Sequence, residues 1–303
     1  MAANADAAVI DEYYHDTWSH RKNYFEDVMG RFSDATVTVT EEGPLRATLK
    51  VVSHYGKSTL TQYISLVAGE KAVSVRAKVD WQEAHKMLKL RFPFALSDCH
   101  ALYEIPFGTV ERPADGEEEP GLGFTAVMGR EGCFALLNDG TYSSSVKDGT
   151  LLYTVLRSPI YGDHGGPRDE ESDYTAQGVT EFSYRIIPFE GVAKTVKETR
   201  LWNRPLTNIV ETWHEGRLPS VGSALEVSAE NVILSAFKVA EDGDGLVLRL
   251  YETDGIAAPV TVSGDALPAP LTYIATPHAA ETFRYKEGRG WEKVLFTEWK
   301  DGE

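Results

Sequence analysis

The chain has 303 residues, 42% of them apolar and 25% charged, enough to form one large or two ordinary soluble domains. A formal net charge of −16 argues against nucleic acid and anionic membrane as partners. The opening MAANADAAVIDEYY has no basic region and no apolar core, and no run approaches bilayer length, so neither a signal peptide nor a membrane span is read and a cytoplasmic location is expected. Cys99 and Cys133 lie in apolar or strand-like settings and are expected as free thiols; without a C-x-x-C motif no zinc ribbon or redox pair is read.

From residue 35 onward the apolar positions recur with period two. ATVTVT (35–40), LRATLKVV (45–52), LTQYISLV (60–67) and AVSVRAKVDW (72–81) are separated by turn residues and predict an antiparallel meander. In the last of these, Val73, Val75, Ala77 and Val79 share one face, while Ser74, Arg76, Lys78 and Asp80 share the solvent face. His85, beside Glu83 and Lys86, reads as a surface histidine. ADGEEEPGLG (114–123) reads as a surface loop in which Asp115, Glu117, Glu118 and Glu119 form a solvated tip rather than a metal site.

ALLNDGTYSSSVKDGTLLYTVLRSP (135–159) reads as a hairpin whose first strand is closed by Asn138 and Asp139 and whose second is closed by Arg157. GDHGGPRDEESDYTAQG (162–178) is a long loop of functional or disordered character. VAKTVKETRLW (192–202) has the helical period, with Val192, Val196 and Leu201 as its apolar positions and Asn203 and Pro205 as its stop. Short strands then return: ALEVS (224–228), VILSAFKVA (232–240), LVLRLYET (246–253), PVTVS (259–263) and ETFRY (281–285). The expectation is an all-β protein in two domains, residues 1–195 and 196–303, the second opening on the linker helix and holding a smaller β-sandwich.

Catalytic signatures are absent from the string. There is no G-x-S-x-G elbow, P-loop, Rossmann fingerprint or H-x-D pair, and HEGRL (214–218) is not H-E-x-x-H. Aromatic and planar polar residues at strand ends are the candidate sugar contacts: Tyr13, Tyr14, Trp18, Trp81, Asn138, Asp139, Tyr142 and Arg157. Each has a structural alternative: core packing for the aromatics, turn chemistry for Asn138 and Asp139, and an ion pair for Arg157.

YEIPFGTVERP (103–113), FALLNDGTYSSSVKDGTLLYTVLRSPIYGD (134–163) and TEFSYRIIPFEG (180–191) together resemble the C-terminal β region of family 38 glycoside hydrolases, the retaining α-mannosidases. DTWSH (16–20), HKMLKLRFP (85–93) and ENVILSAFKVAEDGDGLVLRLYET (230–253) extend the resemblance colinearly, closest to the bacterial, cytosolic and vacuolar branch. It implies a galactose-mutarotase-like supersandwich followed by a smaller sandwich. It also implies an enzyme whose zinc and nucleophilic aspartate belong to an N-terminal catalytic domain without counterpart in this chain. No cofactor is then expected in this chain, which would be a non-catalytic piece of that enzyme. Its partners would be the catalytic domain and a mannose-containing oligosaccharide, and self-association or a sticky hydrophobic patch near residues 10–25 is expected. On this resemblance Asp16 and Trp18, which match a D-x-W stretch, join Asn138, Asp139, Tyr142 and Arg157 as candidates for the pocket edge. A stand-alone carbohydrate-binding module is the alternative, and an epimerase-type enzyme on the same fold is a third reading.

Overall fold

The computed structural model describes residues 6–13, 16–18, 22–161, 173–217 and 219–299. These fold as two units, Met1–Glu104 with Val110–Glu190, and Ile105–Thr109 with Gly191–Glu303.

The strands of the first unit are β1 (Asp6–Asp11), β2 (Val28–Arg31), β3 (Ser33–Glu42), β4 (Arg46–Tyr55), β5 (Ser58–Val67), β6 (Val73–Trp81) and β7 (Lys86–Pro93). They continue with β8 (His100–Ile105), β9 (Gly108–Pro113), β10 (Glu119–Pro120), β11 (Phe124–Gly129), β12 (Gly132–Asn138), β13 (Ser143–Lys147), β14 (Thr150–Arg157) and β15 (Gly178–Pro188). A nine-stranded sheet runs β3-β4-β5-β6-β15-β12-β11-β8-β9, and a six-stranded sheet runs β10-β13-β14-β7-β1-β2. Their facing sides form one core, with Leu60, Val75, Val79 and Trp81 from the first and Val9, Leu88, Leu90, Leu151 and Tyr153 from the second. Each large apolar side chain fully buried there contributes about 1.5–3 kcal/mol. The alternation of β6 decides its orientation: Val75, Ala77, Val79 and Trp81 are buried, while Arg76, Lys78 and Asp80 are exposed.

The stretch from residue 135 to 159 differs from a simple hairpin. The tight hairpin joins β13 to β14 through Asp148 and Gly149, both with positive φ (47° and 70°). That is the two-residue turn for which Asp-Gly is suited. Strand β12 pairs instead with β11 and β15. Asn138, Asp139 and Gly140 therefore begin a crossover between sheets; turn residues in sequence do not say which strand follows as a partner.

In the second unit, α1 (Val192–Asn203) precedes β16 (Glu226–Val227), β17 (Val232–Val239), β18 (Leu246–Glu252), β19 (Ala258–Ser263), β20 (Leu271–Ala275), β21 (Ala280–Lys286) and β22 (Gly290–Val294). Sheets β16-β19-β20 and β17-β18-β21-β22 enclose Val232, Leu248, Leu250, Val260, Val262, Leu271 and Phe283. The helix is where the periodicity puts it, but its buried face is not. Thr195, Val196 and Thr199 are buried, and Leu201 is 65% exposed. The two threonine hydroxyls donate to the carbonyls of Gly191 and Thr195 at 2.8 and 2.7 Å, so these buried polar groups are satisfied within the helix at little cost.

Candidate functional site

Asp16, Arg157 and the 139–142 crossover lie at one end of the six-stranded sheet. Strand β14 ends at Arg157, opposite Met87 of β7, and β1 ends at Asp11, opposite Lys86. Beyond them, Asp16 forms a parallel bridge with Ile160. Ser143, which opens β13, lies opposite Thr154, three residues before Arg157, so the 139–142 crossover leads into the sheet at the same end.

Asp16 is 3% exposed, and its Oδ1 accepts a hydrogen bond from the Trp18 amide at 2.9 Å. This Asx turn presents the Trp18 ring to solvent, 69% exposed. Asp139 is exposed, as is Tyr142. Asn138 is buried and serves the crossover: its Nδ2 donates to the Leu122 carbonyl at 2.6 Å and its Oδ1 accepts from the Gly140 amide at 3.1 Å.

Trp81 is fully buried and donates from Nε1 to the Ser158 hydroxyl at 3.0 Å. Tyr13 is half-buried, its hydroxyl bonded to Asp27 and its ring under Lys22 at 3.5 Å. Burial, with the Asp27 hydrogen bond and charge, pushes the Tyr13 phenol up to about 12. Tyr14 and residues 162–172 of the long loop lie outside the described residues.

Arg157 is held by a carboxylate that the sequence reading did not single out. Glu12 is fully buried and accepts from Arg157 Nε at 2.9 Å and from its Nη2. Burial pushes the Glu12 carboxyl up to about 7, against the hydrogen bond and charge of Arg157, which favour the ionised form. His85 is half-buried rather than a surface histidine. Its amide donates to Ser158 O, its carbonyl accepts from the Glu12 amide, and its ring meets Tyr174 edge-on at 5.0 Å. With φ at 51° it makes a turn between β6 and β7, which neighbouring charges in sequence cannot reveal.

The second correction concerns the acidic loop. Lys89 of β7 is fully buried on the face of the six-stranded sheet away from the core, in line with Met87. Its ammonium contacts the Glu118 carboxylate and, at 3.3 Å, Ser145 Oγ. Glu118 also accepts from Ser143 Oγ at 2.6 Å and from the Thr154 hydroxyl. Glu118 is thus the anchor of the loop rather than part of a solvated tip, because its carboxylate neutralises a buried lysine. Asn23 donates to Glu117 at 2.6 Å, and Lys147 pairs with Glu26 at 2.8 Å, tying residues 22–27 over the same face. Phe25 is buried there with Ala8, Ile10 and Met87, and the cations of Lys89 and Arg157 lie 6.0 and 5.5 Å from its ring.

The arrangement is a supported rim. Two buried ion pairs, Glu12 with Arg157 and Glu118 with Lys89, fix the sheet end, and Trp18, Asp139 and Tyr142 face solvent from it. Such a rim can stack on a sugar face and accept hydroxyl hydrogen bonds, and it offers no nucleophile positioned against a base. Among the described residues, no group of three or more His, Cys, Asp or Glu side chains is disposed to hold a metal ion. Both cysteines are free, and no described helix is long and apolar enough to cross a membrane.

Comparison with known proteins places this geometry in a family. The glycosyl hydrolases family 38 C-terminal domain matches residues 5–165, and the family 38 C-terminal beta sandwich domain matches residues 231–275. Alpha-mannosidase G of Dictyostelium discoideum is 28% identical over 265 residues, 80% of this chain and 23% of that protein. Human alpha-mannosidase 2C1 is 30% identical over 262 residues, 80% of this chain and 24% of that protein. The chain therefore spans about a quarter of the length of these relatives. The crystal structure of an alpha-mannosidase from Enterococcus faecalis superposes with a TM-score of 0.74 at 15% identity, covering 94% of this chain and 39% of that one, and so shares the fold. The expected architecture, a mutarotase-like supersandwich with a smaller sandwich after a short helix, is the one observed. The chain belongs to glycoside hydrolase family 38 and carries that family's C-terminal domains.

Proposed function

We propose that this chain shapes the sugar pocket and scaffolds the catalytic domain of a retaining α-mannosidase that removes α-linked mannose from oligosaccharides. The observation that carries the reading is the colinear match of 80% of the chain to α-mannosidases of which it spans only a quarter. In this reading Trp18 covers the apolar face of a mannose unit and Asp139 accepts hydrogen bonds from its hydroxyls, with Tyr142 beside the crossover. Asp16, Asn138 and Arg157 position that rim through the turn, the crossover and the Glu12 ion pair.

No residue of this chain is assigned to the zinc that the family resemblance implies; both the metal and the nucleophile are assigned to the catalytic part of the enzyme. The cytoplasmic location and self-association belong to the same reading.

The test is reconstitution. The purified chain with added zinc is expected not to hydrolyse an aryl α-mannoside, and turnover is expected on mixing with the matching N-terminal part of the enzyme. Metal-dependent turnover by the chain alone would overturn the non-catalytic assignment.

In the reconstituted enzyme, Trp18→Ala and Asp139→Asn are each expected to raise KM about 10-fold, corresponding to about 1.4 kcal/mol of sugar contact. Because both side chains are exposed, their removal leaves the fold intact. An unchanged KM in both variants would remove the rim from the pocket.

A further inference from the structure

Residues 204–217, between α1 and β16, form neither helix nor strand. Four of their large apolar side chains stand almost wholly in solvent: Leu206 at 86%, Ile209 at 81%, Val210 at 96% and Trp213 at 90%. Scattered apolar residues on a surface are ordinary, but four this exposed within eight positions of one segment mark a contact surface.

Their spacing is i, i+3, i+4, i+7, which puts all four on one face of a two-turn helix and Glu211, Thr212 and Glu215 on the other. Pro205, which suits the first turn of a helix, stands just before the set, and Gly216 is a stop. So short a helix is marginal in water without a surface to pack on, in keeping with its irregular backbone here.

The segment's charges also select its partner. Arg204 and Arg217 balance Glu211 and Glu215, a net of zero with His214 neutral, so it lacks the basic face that membrane-surface helices carry. An apolar protein groove is the surface it fits. The chain spans 23–24% of its α-mannosidase relatives, so most of such an enzyme lies outside it.

We propose that residues 204–217 are a docking segment that winds into a helix on an apolar groove of the catalytic part of the same α-mannosidase, burying Leu206, Ile209, Val210 and Trp213. The proposal rests on the α-mannosidase reading above.

The experiment titrates the full chain with the matching N-terminal part. It follows association by sedimentation, aryl α-mannoside hydrolysis, and hydrogen exchange of residues 204–217. Exchange in the segment is expected to slow at least 10-fold in the complex. Val210→Glu and Trp213→Glu are each expected to weaken association at least 10-fold, and Thr212→Glu, on the opposite face, to change it less than twofold. The apolar positions are exposed, so these variants leave the fold of the chain untouched.

An active complex in which the segment still exchanges freely would overturn the docking segment while leaving the α-mannosidase reading standing. Absence of both complex and activity would overturn both. Protection in the chain alone that grows with its concentration would overturn the choice of partner in favour of a second copy. Equal sensitivity to Thr212→Glu would overturn the helical face.

Discussion

Replacing Lys89 with methionine is expected to lower the unfolding free energy of the chain by about 3–5 kcal/mol, the usual consequence of stripping one partner from a buried ion pair. Lys89 is fully buried and lies against Glu118, whose side chain is 11% exposed. Methionine keeps an unbranched apolar stem, so the loss reports the ammonium and its contacts with Glu118 and the Phe25 ring. What remains around the Glu118 carboxylate is the Ser143 and Thr154 hydroxyls, two neutral donors that cannot replace an ammonium.

The double variant Lys89→Met with Glu118→Gln is expected to recover most of the loss, because no unpaired charge then stays under the 114–119 segment. Urea unfolding of the two single variants and the double variant gives the coupling directly. A loss below about 1 kcal/mol in Lys89→Met would mean that Glu118 escapes to water without consequence, and the loop would not be anchored there.

That pair also shows what the sequence carries and what it conceals. Strand β6 is legible because one buried face imposes a period of two on its nine residues, β3 shows the same period in its sequence although it is exposed along almost all of its length, and the helix is legible by its own period. The family resemblance supplies the fold, and its motifs span the crossover and the end of β14.

Pairing across the fold has no local signature. In HKMLKLRFP the second lysine shares parity with Met87, which buries it, yet nothing nearby in sequence announces Glu118 twenty-nine residues later. The acidic loop looks solvated because charge density alone cannot tell a carboxylate that meets a lysine from one that meets water. Glu12 is hidden in the same way, 145 positions from Arg157. The helix face misleads for another reason: a threonine that bonds its own i−4 carbonyl behaves as an apolar residue, which hydropathy counts as polar.

Glu12 is expected to make the stability of the chain fall as pH rises from about 5 to 7. Its carboxyl titrates near 4.5 in the unfolded chain and is pushed up to about 7 in the folded one, by burial first and then by the charges of Glu118 and Asp11, with Arg157 opposing. Between those values the folded state binds more protons than the unfolded state, so the unfolding free energy declines with pH and levels off above about 7. At about 1.4 kcal/mol per unit, the interval corresponds to about 3 kcal/mol.

The carboxyls of Glu41, Glu131, Asp242, Glu252 and Glu298 are shifted downward, and their contributions are lost only as pH falls below the ordinary carboxylate range. Among the described residues they leave the window above 5 to the carboxyls shifted upward, Glu12 and the partly buried Glu119, which acts in the same sense. Glu12→Gln keeps an acceptor for Arg157 and removes the titration. Urea unfolding at pH 5, 6, 7 and 8 is expected to show the decline in the parent chain and a nearly flat profile in the variant, which should match the parent at pH 5 and exceed it at pH 8. An equal slope in both would assign the pH dependence to another group and leave the Glu12 carboxylate ionised throughout. In that case Arg157 would compensate its burial fully, and the rim at Asp16 and Trp18 would rest on a permanent ion pair instead of a protonatable one.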